Sequence, residues 1–179
     1  MTGAGGAPGE GGGTAEQARD AALRLLTDRA RSRHELTTRL TDKGFTPSVT
    51  ASVLDRLTEL GLVDDRDFAH QWVRSRHTYS GRGKQALRNE LRTKGIDPAV
   101  AAEALETIDP EDERDRAREL VVKKLRSPSV RATASTDRDK VLRSLVGMLA
   151  RRGFSQGMAF EVAKSELEAV GADTDGLEN

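Results

Sequence analysis

Apolar positions recur along this chain at helical spacing, in a unit that is written three times. Leu36-x-x-x-Leu40-x-x-Lys43-Gly44-Phe45 returns as Leu87-x-x-x-Leu91-x-x-Lys94-Gly95-Ile96 and again as Leu145-x-x-x-Leu149-x-x-Arg152-Gly153-Phe154. A second amphipathic run follows each copy: Val49, Val53, Leu54 and Leu57; Val100, Ala104, Leu105 and Ile108; Met158, Val162 and Leu167. An opening stripe precedes each: Ala22, Leu25 and Leu26; Phe68, Trp72 and Val73; Ala117, Leu120, Val121 and Leu125. The glycines of the unit stand 51 and 58 residues apart, a period that suits stacked helical repeats. No run reads convincingly as a strand. The pattern predicts nine helices, over 15–30, 33–43 and 47–60, over 66–79, 83–94 and 98–108, and over 111–126, 137–152 and 156–170.

The punctuation agrees with the periodicity. Thr14-x-x-Gln17 and Ser32-x-x-Glu35 have the spacing of a capping box, a hydroxyl with an amide or acid three residues on. Thr46-Pro47, Asp97-Pro98 and Asp109-Pro110 place a capping oxygen before a proline at the first helical position, where its missing N–H costs nothing. Gly44, Gly95 and Gly153 follow a basic residue where a helix would end in a left-handed cap. The reading is therefore all-α: an elongated array of three tandem three-helix repeats, at 15–65, 66–109 and 110–170. Residues 1–14 read as a disordered Gly-rich arm and 171–179 as a short, disordered acidic tail. The longest internal loop falls at 127–136, around Pro128 and basic through Arg126 and Arg131.

Composition narrows the function. Only 36% of the 179 residues are hydrophobic and 32% are charged, so three small cores fit better than one large one. There is no cysteine, hence no disulfide and no thiolate chemistry. Met1 to Gly13 lacks the basic and apolar regions of a signal peptide, and no stretch approaches a membrane span. A cytoplasmic protein without membrane contact is expected. Arrays of this kind present long surfaces and seldom hold buried catalytic sites.

Zero net charge conceals strong patterning. From Gln71 to Gly95 there are seven Arg or Lys against the one acid Glu90; from Arg114 to Arg152, twelve against four; between them, Asp97 to Glu113 carries seven acids and no base. Arg74 and Arg76 lie toward the end of one predicted helix. Lys84, Arg88 and Arg92 recur every fourth residue on the next, which is expected to set them on one exposed face opposite Leu87 and Leu91, uninterrupted by acids. Lys123, Lys124, Arg126, Arg143, Arg151 and Arg152 extend the excess into the third repeat. Such a surface suits phosphate backbone or an acidic protein.

Catalytic signals are poor. His34, His70 and His77 have no metal-ligand spacing among them, so no metal and no cofactor is expected. Gly81-x-Gly83-x-x-Ala86 imitates a dinucleotide loop, but it follows a predicted helix rather than a strand. Gly83-Lys84 lacks the Ser or Thr of a phosphate loop. One of Asp64 and Asp65 is read as the cap of the helix that begins near Arg66, rather than the two as a metal pair. Phe68 and Trp72 are read as core.

One resemblance bears on all of this. Arg31-Ser-Arg-His-Glu-Leu36 with Lys43-Gly44-Phe45, then Val53-Leu-x-x-Leu57, Gly61-Leu-Val-Asp-Asp65 with Phe68-Ala69, and Leu87-x-x-Glu-Leu91 with Lys94-Gly95-Ile96, resemble the RecX regulatory proteins of bacteria. The likeness spans about residues 18 to 170. It implies that the array is curved and that the protein is a non-catalytic modulator of the RecA recombinase; a monomer is expected. It also implies contact with single- and double-stranded DNA in the groove of the recombinase filament, with ATP hydrolysis, strand exchange and coprotease activity suppressed. Homologous recombination, DNA repair and the SOS response are the implied setting. The main rival is a DNA-binding helical module without sequence specificity, since three-helix units resemble helix-turn-helix folds.

Overall fold

The structure, a computed structural model, describes residues 13–175. Most of the Gly-rich arm, residues 1–12, and the last four residues of the acidic tail lie outside that range. Among the described residues there are ten α-helices and no strand. They are α1 (Ala15–Asp28), α2 (Arg33–Asp42), α3 (Pro47–Glu59), α4 (Asp65–Ser80), α5 (Lys84–Thr93), α6 (Pro98–Glu106), α7 (Pro110–Leu125), α8 (Pro128–Ala134), α9 (Arg138–Arg151) and α10 (Gln156–Asp175). Two expectations are corrected. The segment 127–136 is not a loop: Pro128 starts the seven-residue α8, too short for its one apolar pair, Val130 and Ala134, to announce it. The chain from Gly171 is not frayed at once, because α10 continues to Asp175.

Two compact units organise the described residues: those up to 68, with 94–97, form the first, and 69–93, with those from 98 onward, form the second. In unit one, α1, α2 and α3 close over Ala18, Ala22, Leu36, Leu40, Leu54, Leu57 and Val63. Both predicted capping boxes there are complete, at Thr14/Gln17 and Ser32/Glu35. In unit two, α7, α9 and α10 close over Val121, Leu125, Leu145, Leu149, Phe154 and Val162, with α8 laid on α7 and α9. Burial of such side chains contributes about 1.5–3 kcal/mol each, enough to order helices that would be marginal alone.

The basic-Gly turn has a second use beyond ending a helix. Gly44, Gly95 and Gly153 all adopt positive φ, at 89°, 71° and 90°. Within unit one, the turn at 94–97 receives the start of α2: Ser32 Oγ donates to Lys94 O at 2.6 Å, and Gly95 packs on His34. Within unit two the turn after α9 receives the start of α5 in the same way. Gly83 N donates to Arg152 O at 2.9 Å, Gln85 N donates to Gly153 O at 3.0 Å, and Gly153 packs on Ala86. The two carbonyls that follow α9 thus find their partners in another helix's first turn. Gly44 has nothing within 4 Å of where a Cβ would stand.

The first of these joints carries an ionic lock. Glu35 accepts from Ser32 N in its capping box, from Arg29, and from Lys94 Nζ at 2.6 Å. Burial acts to raise its pKa, but hydrogen bonds from Arg29, Lys94 and Ser32 outweigh it and hold the carboxyl at about 2, below its ordinary 4.5. A depressed folded-state pKa adds stability above the unfolded value that is lost as pH falls through the folded one. The difference is worth about 3 kcal/mol. The stability gap between the parent and Glu35→Gln, from urea midpoints, should therefore be full above pH 4.5 and narrow as pH falls toward 2. A gap independent of pH would show that the carboxylate charge contributes nothing.

Candidate functional site

The cationic side chains singled out by the sequence all fall in unit two, and the fold treats them unequally. Trp72 and Arg76 lie one turn apart on α4, and both reach Glu90 on α5. Trp72 Nε1 donates to Glu90 Oε2 at 2.8 Å; Arg76 Nε and Nη2 donate to the two carboxylate oxygens at 3.0 Å each. Arg76 also stands over the Trp72 ring, 5.7 Å from its centre, a cation–π contact. Arg82 Nε lies 3.3 Å from Glu90 Oε1. Burial would raise the Glu90 pKa, but the bonds from Arg76 and Trp72 prevail and lower it. Trp72 is half-buried, not a full core residue, and Arg76 is held by internal bonds. By helical phase alone Glu90 stands apart from the basic residues; the packing of α4 beside α5 makes it their shared partner.

The row Lys84, Arg88, Arg92 also departs from expectation. Each fourth residue drifts by about 40° around a helix, so the row winds rather than holding one face. Lys84 comes within about 20° of Leu91 by phase and is half-buried, whereas Arg88 and Arg92 are exposed. An acid also stands at the head of the row: Lys84 N donates at 2.9 Å to Oε1 of Glu113, a carboxylate only 7% exposed. That carboxylate closes an open N–H of α5 and meets its positive end. Among the described residues no acid pairs within 4.0 Å of Arg74, Arg88 or Arg92.

The remaining predicted cations sit at the ends of α7 and on α9. Lys123, Lys124 and the cap residue Arg126 close α7, where positive charge favours the helix C-terminus. Arg143 and Arg151 are exposed on α9. Arg152 is half-buried and donates from Nη1 to Ser80 O at 3.0 Å, capping the last turn of α4. Arg76, Ser80, Arg82, Met148, Arg151 and Arg152 together wall an open hollow of about 320 Å³. Sequence reading named three of these four arginines but could not bring them together, because they come from α4, α9 and the turn at 81–83.

Other candidate groups have structural duties. Asp64 Oδ1 accepts from the N–H groups of Arg66 and Asp67 and caps α4, while Asp65 Oδ1 accepts from Arg33 N at the head of α2. His70 lies 3.4 Å from Glu103, and His77 Nδ1 lies 2.8 Å from Arg82 O. Gly83 explains the false dinucleotide motif: a Cβ there would stand 2.5 Å from Gly153 O. Among the described residues, no three His, Cys, Asp or Glu side chains gather as a metal-binding group would, and no helix is long and apolar enough to cross a membrane.

Known proteins match this chain along most of its length. The first three-helix domain of RecX matches residues 18–57 and the second matches residues 64–105. A regulatory protein RecX of Mycolicibacterium smegmatis is 57% identical over 152 residues, covering 85% of this chain and 80% of its own. Another, of Streptomyces coelicolor, is 46% identical over 162 residues, covering 90% of this chain and 84% of its own. The crystal structure of RecX from Lactobacillus salivarius aligns with a TM-score of 0.75 at 22% identity, over 87% of this chain and 97% of that one. That last likeness speaks for the fold.

Proposed function

This chain belongs to the RecX family of regulatory proteins, and from that premise we propose that it regulates the RecA recombinase by binding its filament on DNA. The observation that carries the reading is the set of exposed cations in unit two that no acid of the described residues pairs, Arg74, Arg88, Arg92, Arg143 and Arg151 among them. They suit a partner that displays phosphates, and the salt dependence of such contacts follows from counterion release. The protein, a cytoplasmic monomer in this reading, performs no chemistry. It binds one filament state better than another and so shifts the filament away from ATP hydrolysis, strand exchange and coprotease activity, either in the groove or at a growing end.

The rival reading is a helical module that binds DNA alone. Binding to bare duplex, to bare single strand and to recombinase filaments, compared at one salt concentration, separates the two. The proposal expects the filament to be bound at least tenfold more tightly than either bare DNA, a difference of about 1.4 kcal/mol. Equal affinity for all three would favour the rival.

A further inference from the structure

We infer that the arginine hollow of unit two is a binding site for a phosphodiester of single-stranded nucleic acid, with Tyr79 as the stacking platform for an adjoining base. This rests on the reading above, which it sharpens by naming the ligand and the residues. Four arginines, Arg76, Arg82, Arg151 and Arg152, line one hollow. One carboxylate, Glu90, serves both Arg76 and Arg82. Arg152 bonds a neutral carbonyl, and among the described residues Arg151 has no acid partner. The hollow therefore keeps three positive charges beyond its own acid, in a concave wall that concentrates their field. An anion with several acceptor oxygens fits that charge and the forked donors of arginine.

The wall is also preformed. Ser80 holds both flanks: its Oγ accepts from Arg76 Nη1 at 3.0 Å and its carbonyl accepts from Arg152 Nη1 at 3.0 Å. The segment behind it is fastened to the end of α9 through Gly83 N and Gln85 N. Donors fixed in advance lose little freedom on binding. Tyr79, 86% exposed, follows Arg76 by three residues on α4 and precedes Ser80 in sequence. An aromatic ring left this open contributes little to the core, and helical spacing sets it beside the Arg76 position. A phosphate-holding groove flanked by an aromatic platform is how single strands are held without regard to sequence, each stacked base adding about 1–3 kcal/mol. A paired base in duplex has no free face to offer, which selects the single strand.

The test uses the full chain and a labelled oligothymidylate, with the matching duplex and inorganic pyrophosphate as further probes. Arg151→Glu should weaken oligothymidylate binding about tenfold and reduce its salt slope by about one. Tyr79→Ala should weaken it roughly tenfold while Tyr79→Phe binds like the parent. Arg39→Glu, the same charge change at an exposed position of α2 in unit one, should stay within about twofold. Pyrophosphate should compete with the strand in the parent but not in Arg151→Glu. The inference falls if Arg39→Glu and Arg151→Glu lose equally, if Tyr79→Ala binds like the parent, if duplex is bound as tightly as single strand, or if the parent binds no oligothymidylate. Filament inhibition by the parent is measured separately, so this site can fail while the regulatory reading stands.

Discussion

Replacing Gly153 with alanine is expected to destabilise unit two by about 2–4 kcal/mol, whereas the same change at Gly44 should cost only about 1 kcal/mol. Both glycines have positive φ, 90° and 89°, so a side chain at either suffers left-handed strain. They differ in what the new methyl meets. At Gly153 it would stand 2.3 Å from Ala86 N and Ala86 Cβ, in a joint fixed by Gly83 and Gln85, and backbone cannot yield there cheaply. At Gly44 it would meet nothing within 4 Å. Gly95 should fall with Gly153, because its nearest obstacle is His34 Cβ at 2.4 Å, an atom that side-chain rotation does not move. Thermal melts of the three alanine variants check the order; a common drop in Tm would mean that the caps alone matter and the joints contribute nothing.

The second large effect concerns partner binding. Changing Arg74, Arg88 and Arg92 together to glutamate should leave the fold intact, at about 0.5 kcal/mol for each surface change. Filament inhibition should nevertheless weaken by more than tenfold, and the salt slope should drop by about 0.9 for each phosphate that is no longer neutralised. Lys84 is left in place because it lies half-buried beside the apolar stripe, where a charge reversal would confuse folding with binding. A triple variant that inhibits like the parent at every salt concentration would make these arginines an ordinary solvated surface.

Much of the fold was legible because local signals agreed with one another. Each predicted helix is present within a few residues of its expected ends, and Thr14, Ser32, Thr46 and Asp109 all cap as their spacing implied. The missed helix, α8, is seven residues long and has no fully buried residue, so periodicity had no purchase on it. The candidate site was less legible, since the partners that decide it are distant in sequence. Glu90 engages Arg76 fourteen residues away, Glu113 meets Lys84 twenty-nine away, and Arg152 reaches Ser80 across seventy-two. A helical wheel drawn for α5 alone cannot show which of its groups α4 and α7 will engage. Gly83 and Gly153 were visible as glycines, yet their close approach belongs to tertiary structure.

The central claim, regulation of the recombinase through its filament, is tested most directly by titrating the full chain into the recombinase's DNA-dependent ATPase reaction. Hydrolysis should fall toward a floor as the protein is added, with the midpoint moving to higher protein concentration as salt rises. The protein alone should hydrolyse no ATP. A rate that stays unchanged at protein concentrations that saturate bare DNA would contradict the account and leave a DNA-binding module in its place.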